Sequence, residues 1–598
     1  MAYCSNFLQP ERSGRPVRNG RSSGYAEMNV IRRWACPRKL RKPVGIGARL
    51  ALKSTLLLLA TPAIADLRPD AGNVARDVVP PRVLSAPSGE AALAERPDDR
   101  HDSLVSQDPS RIPVRRVRVS GARLYPADVL ESLVADLNNG MRTLADLSQG
   151  AARITHFYRT HGWALAHAYL PAQSIRDGEV EIRVLEGSLS AIRVQTDPQS
   201  RVSERAIDAY LAAIERNAPL NQAQVNRALL LLADLPGTSL SASLAAGRDP
   251  GETELMVTSK AGPLVSGRLE VDNYGSLYTG RARLGGTVNV NSPLGYGEQI
   301  SARVLASDGN LYYGRLAAQA PLGGDGLSTG ASFTHTQYVL GSTFAQLDAQ
   351  GRANIAEWNL SYPFIRSVAY NVFGQFSAEY REISDQVAAT DTDTRKRGAH
   401  YSFNLLFSGR DGVAGGADTR AALRIGTGML QMASPAAAII DALGAQTAGH
   451  YSTLNLDLQR NQRLAGPWGM LLAMRGQAAS RNLDSYQKFV LGGANGVRAY
   501  PAGEAAGDEG WLASAELYYA VNPMFIPSGF YDIGGIRINK HPYLATSNRR
   551  VLSGYGVGVR GSHRAFSWSL AMAFRGGNRS QAEPDRAVRF WGQVGWEF

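Results

Sequence analysis

The chain has 598 residues, 44% of them hydrophobic, with 64 Lys and Arg against 52 Asp and Glu. Residues 1–65 hold 12 of the basic and 2 of the acidic residues, so the rest of the chain carries 52 against 50, a net of +2. A nearly neutral body excludes a phosphate-tracking nucleic-acid surface, which needs a clustered basic footprint, and the bulk composition implies no long apolar helix.

The leader comes first. In "RLALKSTLLLLATPAIAD" Arg49 and Lys53 precede an apolar run from Thr55, and Ala63 and Ala65 supply the small residues of a cleavage site before Asp66. Residues 1–65 are expected to be a secretory signal peptide with an extended basic leader, starting at Met1 or Met28. The apolar run of about 10 residues is too short for a membrane helix, which takes about 20. Both cysteines, Cys4 and Cys36, lie in this leader, so the mature chain is expected to have neither a disulfide nor a cysteine-ligated metal. Residues 66–111 are polar and proline-bearing, without sustained periodicity. They are expected to form an arm or linker with one or two helical turns over Ser88–Arg96 and room for a short plug helix.

From Ile112 one pattern occurs twice. "VRRVRVSG" alternates as a strand, Pro126–Leu137 and Leu144–His161 carry apolar residues at helical spacing, and "ALAHAYL" and "EVEIRVLEG" alternate again. The second copy runs through "SAIRVQT", helices over Glu204–Glu215 and Gln222–Leu235 with Asn221 as N-cap, then "SLSASLAAG" and "TELMVTSK". Two small α+β units, 112–188 and 189–261, are therefore expected, each a sheet covered on one face by helices.

Beyond residue 262 the helical period disappears. In "FSWSLAMAFR" Phe566, Trp568, Leu570, Met572 and Phe574 share one face, and "AYNVFGQFSAEYR" alternates likewise. A soluble sandwich also alternates, but three features favour a membrane barrel. The segments have the length of tilted spanning strands, their ends are aromatic, and the chain stops on the strand "FWGQVGWEF", whose Trp596 and Phe598 would aggregate as a free edge. Sixteen segments are expected, starting near Leu264, Arg281, Gln299, Leu311, Ser328, Ala353, Ala369, Ala399, Thr419, Tyr451, Gly469, Trp511, Phe525, Val551, Phe566 and Val588. Sixteen antiparallel strands over 262–598 enclose a water-filled lumen.

Three stretches carry a resemblance: "GWALAHAYLPAQSIRDGEVEIRVLEG", the loop "LGGANGVRAYPAGEAAGDEG" with Val497, Arg498, Ala499 and Tyr500, and "FYDIGG" with Phe530, Asp532 and Gly534. With the two α+β units and the Phe-terminated barrel, they resemble TpsB transporters of two-partner secretion, the ShlB/FhaC/HecB type of hemolysin secretion/activation protein, within the superfamily of outer-membrane barrels with POTRA domains. The resemblance covers residues 112–598. It implies a loop, 481–510, inserted in the lumen with Arg498 paired to Asp532. A guanidinium can hold a carboxylate through two parallel bonds, which lysine cannot. Ala499 stands where the family usually has glycine, so a positive φ there would strain the loop tip. Trp596 and Phe598 are the expected barrel-closing and assembly signal.

Other chemistries fail on context. "GLSTG" would make Ser328 a hydrolase nucleophile with His335 and Asp348, but the nucleophile elbow needs a strand, a sharp turn and a helix, whereas Ser328 leads into an alternating strand. "GYGVGVRG" lies in a strand with no helix after it, which suits small lumen-facing residues better than a dinucleotide. His156, His161 and His167 do not have the spacing of a metal pair.

The sequence thus points to an outer-membrane transporter, not an enzyme, with its POTRA units in the periplasm and neither cofactor nor metal. Its substrate would be an unfolded TpsA-type exoprotein, with an adhesin, a cytolysin and a protease all compatible as cargo. Other expected partners are outer-membrane lipid and lipopolysaccharide, and the barrel assembly machinery during biogenesis; the chain is expected to be a monomer and to bind no nucleic acid. The alternatives are an outer-membrane protein insertase of the same superfamily, which usually has more POTRA units, and a passive porin, which needs none.

Overall fold

A computed structural model describes residues 69–78, 110–249 and 251–598. The cleavage residues Ala63 and Ala65 and the turns expected over Ser88–Arg96 lie outside the described residues.

In the first α+β unit the strand Arg116–Ser120 runs parallel to Glu179–Leu185, which pairs in turn with His167–Tyr169. Helix α1 (Ala71–Val78) precedes this unit in the chain; helices α2 (Ala127–Ser132) and α3 (Leu144–Thr160) cover the sheet. The helix expected over Pro126–Leu137 is shorter: it breaks after Ser132 and resumes as a 3-10 turn, Ala135–Leu137, after which the Asn138 side chain accepts a bond from Val117 N–H. Helix α3 starts where Thr143 and Asp146 bond each other's backbone N–H, the reciprocal pair that satisfies the first free donors of a helix. Its Ile154 and Tyr158 are fully buried against Ile182. Tyr158 donates to Glu186 across 2.9 Å, and burial pushes its hydroxyl well above the ordinary tyrosine range.

The second unit has the sheet order Ser188–Thr196, Glu252–Ala261, Thr238–Ala246, covered by α4 (Glu204–Leu211) and α5 (Gln222–Ala233). The Asn221 side chain accepts from Ala223 and Gln224 N–H, fixing the start of α5. Asp234, at the other end of α5, binds Arg366 of the barrel through two bonds of 2.8 Å. Burial holds the Asp234 carboxyl above the ordinary carboxylate range, outweighing the opposing pull of the Arg366 guanidinium.

Sixteen strands close the barrel: β1 (Val265–Asp272), β2 (Arg283–Asn291), β3 (Gln299–Ser307), β4 (Leu311–Pro321), β5 (Ser328–Val339), β6 (Ala349–Arg366), β7 (Tyr370–Val387), β8 (Thr392–Asp411), β9 (Ala417–Met432), β10 (Gly449–Arg463), β11 (Trp468–Ala479), β12 (Glu509–Tyr519), β13 (Ile526–Arg537), β14 (Arg549–His563), β15 (Phe566–Arg575) and β16 (Val588–Glu597). Each pairs antiparallel with its neighbours, and β16 closes on β1 with Trp596 opposite Leu269. The terminal Phe598 extends that seam by exchanging two backbone bonds with Gly267, of 2.9 and 3.0 Å. The sheet closes on itself, so no strand is left as an edge in the bilayer. The outward face carries exposed aromatics, among them Trp358, Tyr380, Tyr401, Phe566 and Trp596. Strand β8 starts at Thr392 rather than near Ala399; its first residues, "TDTRKRG", carry no apolar face because they rise beyond the lipid band.

One element departs from the aperiodic arm. Residues Ala71–Val78, "AGNVARDV", form helix α1, with Ala71, Val74, Ala75 and Val78 buried against Tyr278, Tyr313, Tyr338 and Ile383. Tyr338 and Asp385 come from β5 and β7 on their lumenal faces: Tyr338 donates to the Asp385 carboxylate (2.6 Å), which also accepts from Ala71 N–H (2.7 Å). The helix therefore lies inside the barrel. Ala71, Val74, Ala75 and Val78 share one face, but two turns are too short for that spacing to stand out as a sustained period in the arm.

Candidate functional site

Between β11 and β12 the chain turns into the lumen. Phe489–Val490 and Ala506–Gly507 form a short antiparallel pair at the base of this excursion. Its apex is a tight turn: Val497 N–H donates to Leu491 O (2.6 Å) and Tyr500 N–H to Val497 O (3.0 Å). Val497, Ala499 and Tyr500 are buried with Leu491, Leu512, Phe530, Leu552 and Ala573, so the apex has a small apolar core of its own against β12–β15.

Arg498 projects from that core onto the wall. Its Nε and Nη2 donate to the two oxygens of Asp532 at 2.9 and 2.8 Å, and its backbone N–H donates to the same carboxylate at 3.1 Å. Nη1 donates to Glu516 at 2.8 Å, and the guanidinium carbon stands 3.3 Å from the Phe530 ring centre. Asp532 is fully buried and also accepts from Ser514 Oγ at 2.7 Å. Glu516 is shared with Arg560, whose Nη1 is 2.5 Å away. The Arg498 carbonyl accepts from Trp591 Nε1 at 2.6 Å, and the Tyr500 hydroxyl donates to Asn578 O at 2.6 Å. Three donors on one rigid fork thus face two buried carboxylates, an arrangement available to arginine and not to lysine.

Ala499 lies outside the left-handed region, so the strain considered for a non-glycine residue there does not arise. Room for its methyl comes from the wall: a Cβ on Gly554 would stand 2.4 Å from the Ala499 Cβ. Gly534 serves the same purpose, since a Cβ there would meet Leu491 Cδ2 at 2.6 Å. The "GYGVGVRG" glycine at 554 is thus a seat for the loop. Ser328 opens β5 at its periplasmic end, Asp348 occupies the turn before β6 at the opposite end, and His335 bonds Asn354 across 2.6 Å, so these three do not meet. Among the described residues no group of three or more His, Cys, Asp and Glu is placed to hold a metal ion.

Four further anchors were not singled out in the sequence. Glu516 and Ser514 share the lumenal parity of β12 with Leu512, which is the signal that could have marked them. Buried Glu504 binds Arg550 and accepts from Gln581 and Ala582 N–H at 2.8 and 3.1 Å. Buried Asp508 accepts from Leu483 and Lys540 N–H at 3.1 and 2.8 Å. Helix α1 leans on the same loop: Arg76 Nη1 donates to Ser485 O at 2.6 Å, and Lys396 joins Asp484 at 2.6 Å. Below loop and helix lies a lumenal cavity of 1660 Å³, bordered by Asp234 of the second α+β unit, by Arg315, Glu357 and Arg424 of the wall, and by Arg498.

The family model for haemolysin secretion/activation protein ShlB/FhaC/HecB matches residues 251–561, more than half of the chain, and the ShlB-type POTRA domain model matches residues 112–187. The chain belongs to the ShlB/FhaC/HecB family. The heme/hemopexin transporter protein HuxB of Haemophilus influenzae (strain 86-028NP) is 27% identical over 484 residues, 78% of this chain and 83% of that protein. Outer membrane transporter CdiB of Escherichia coli O6:K15:H31 (strain 536 / UPEC) is 25% identical over 190 residues, 32% of each chain. The solved structure of CdiB from Escherichia coli has the same fold, with a TM-score of 0.66 at 16% identity over 85% of this chain and 94% of that one. As a ShlB/FhaC/HecB protein, the chain is an outer-membrane barrel with periplasmic POTRA domains that translocates protein in two-partner secretion; the family is one of transporters rather than enzymes.

Proposed function

We propose that the chain accepts one large exoprotein of the TpsA type, unfolded in the periplasm, and passes it through the lumen to the cell surface. The observation that carries this reading is the 1660 Å³ lumenal cavity, which begins at Asp234 of the second POTRA unit and ends under Arg498. A chain captured on the POTRA units has a continuous wet path to the loop, whereas a passive porin has no use for a covered lumen or a recruiting domain. Capture uses sheet edges: Thr238–Ala246 is an outer strand of its sheet, able to add an extended segment through main-chain bonds. Helix α1 and the loop close the outer part of the lumen, so α1 is a plug that must withdraw for export. The cargo is an adhesin, cytolysin or protease whose folding outside the cell makes return unfavourable. The transporter works as a monomer, after insertion by the barrel assembly machinery.

Deleting residues 112–188 tests recruitment. The shortened protein is expected to insert and conduct in planar bilayers while secretion of its exoprotein stops. Normal export by that variant would remove the receptor role.

A further inference from the structure

At the outer rim of β12–β14, one ladder row on the membrane side reads Glu509, Arg537, Arg549. Their direction follows from strand alternation: Ile536 and Arg550 turn inward, to the loop cluster and to Glu504, so Arg537 and Arg549 turn outward. The next row down is Trp511, Gly535, Val551, and Tyr531 faces Tyr555 two rows below that, all without charge. Two guanidiniums directly opposite each other in an antiparallel ladder repel, and Lys540 adds a third cation beside them. The row offers one carboxylate, and both of its oxygens are occupied: Arg537 Nη1 donates to Glu509 at 3.1 Å, and Lys540 Nζ takes the other oxygen. The β13–β14 connection, residues 538–548, contains no Asp or Glu. Arg549 is exposed, and its side chain has no hydrogen-bond or ion-pair partner among the described residues.

The height of this row matters. Arg537 ends a strand that begins beside exposed Phe525 at the periplasmic side, and its length at the usual tilt places it about 25 Å higher, one apolar band away. That is the level of the outer-leaflet headgroups. We propose that Arg537, Arg549 and Lys540 bind the phosphorylated sugar headgroup of an outer-leaflet lipid, the lipid A of lipopolysaccharide. A phosphate between the two arginines relieves their repulsion and accepts from both forks, while acyl chains lie along Val551, Tyr531 and Tyr555.

Full-length protein in detergent, titrated with bisphosphorylated lipid A and read by native mass spectrometry, tests this. The wild type is expected to retain lipid A in the presence of equimolar phosphatidylglycerol or inorganic phosphate. Arg537→Gln with Arg549→Gln should bind lipid A about tenfold more weakly, the loss of roughly one charge-assisted contact. The double lysine variant should keep much of the affinity, and Arg352→Gln, on the outward face of β6, should keep all of it. Wild-type retention by the double glutamine variant overturns the site, as does displacement of lipid A by phosphatidylglycerol or phosphate at equal concentration. Should the double variant lack the heat-modifiable band of a folded barrel, Arg549→Gln alone decides. Its side chain supports nothing in the fold, and a loss of about threefold is expected; an unchanged affinity overturns the proposal.

Discussion

Arg498 bridges two carboxylates, and this changes what its removal should do. With Arg498→Ala, Asp532 remains fully buried beside Glu516 with only Ser514 and a backbone N–H as donors, and loop docking should lose about 3–5 kcal/mol. We expect secretion to fall sharply for Arg498→Ala and for Asp532→Ala, with the heat-modifiable band retained. The double alanine variant should be little worse than either single one, because the groups act together. Exchanging the charges should rescue little: an aspartate at 498 would face Glu516, which the native guanidinium reaches at 2.8 Å. Full secretion by both single variants would show that this contact does not operate in transport. The family motif made Arg498 and Asp532 legible in the sequence; Glu516, Glu504 and Asp508 were not, because a lone carboxylate on the lumenal side of a strand or in a loop does not announce its partner.

At the scale of elements, two contacts decide whether the lumen is closed and the wall complete. Gly72 of α1 faces the loop so closely that a Cβ would stand 2.2 Å from Ser485 Oγ and 3.0 Å from the Tyr486 nitrogen. Gly72→Leu is therefore expected to displace α1 and raise single-channel conductance in planar bilayers; an unchanged conductance would mean that α1 does not obstruct the pore. Deleting Phe598 removes both backbone bonds with Gly267 and the ring 5.1 Å from Trp596, so the seam should close poorly and the yield of heat-modifiable barrel should drop. Most barrel strands were legible from their period of two because lipid outside and water inside enforce it. Where β8 rises beyond lipid, "TDTRKRG" lost that constraint and the first residues of the strand were missed. A short plug helix was expected in the arm but not placed at Ala71–Val78, because an apolar face of only two turns is too brief to mark a helix by its period.

For the whole molecule, the decisive joint is the one between the second POTRA unit and the barrel. The sequence marked both bodies but not their junction, since Asp234 and Arg366 lie 132 residues apart and each looks like an ordinary surface charge. In the fold Arg366 is buried, bound twice by Asp234 and once by Asn371 at 2.9 Å, while Arg227 donates to Pro363 O at 2.9 Å and Asp325 O at 3.2 Å. The fork ties the POTRA unit to the barrel at the mouth of the lumenal cavity, and in the function proposed above it would aim a captured segment inward. Asp234→Ala leaves a buried guanidinium with a single neutral acceptor and should weaken docking by up to about 3–5 kcal/mol. Since Cys4 and Cys36 are the only cysteines, a mature chain freed of residues 1–65 can be spin-labelled at Gln199→Cys and Gly412→Cys, two exposed positions on either side of the joint. The distance distribution between the labels should be narrow in the parent and broad in the Asp234→Ala variant, with bilayer conductance kept and export reduced. Arg366→Lys should broaden it too, because a point charge cannot make both bonds to the carboxylate. A narrow distribution in both variants would assign the orientation to the Arg227 contacts and the apolar interface around Leu231, and would leave the Asp234–Arg366 pair without a part in aiming the substrate.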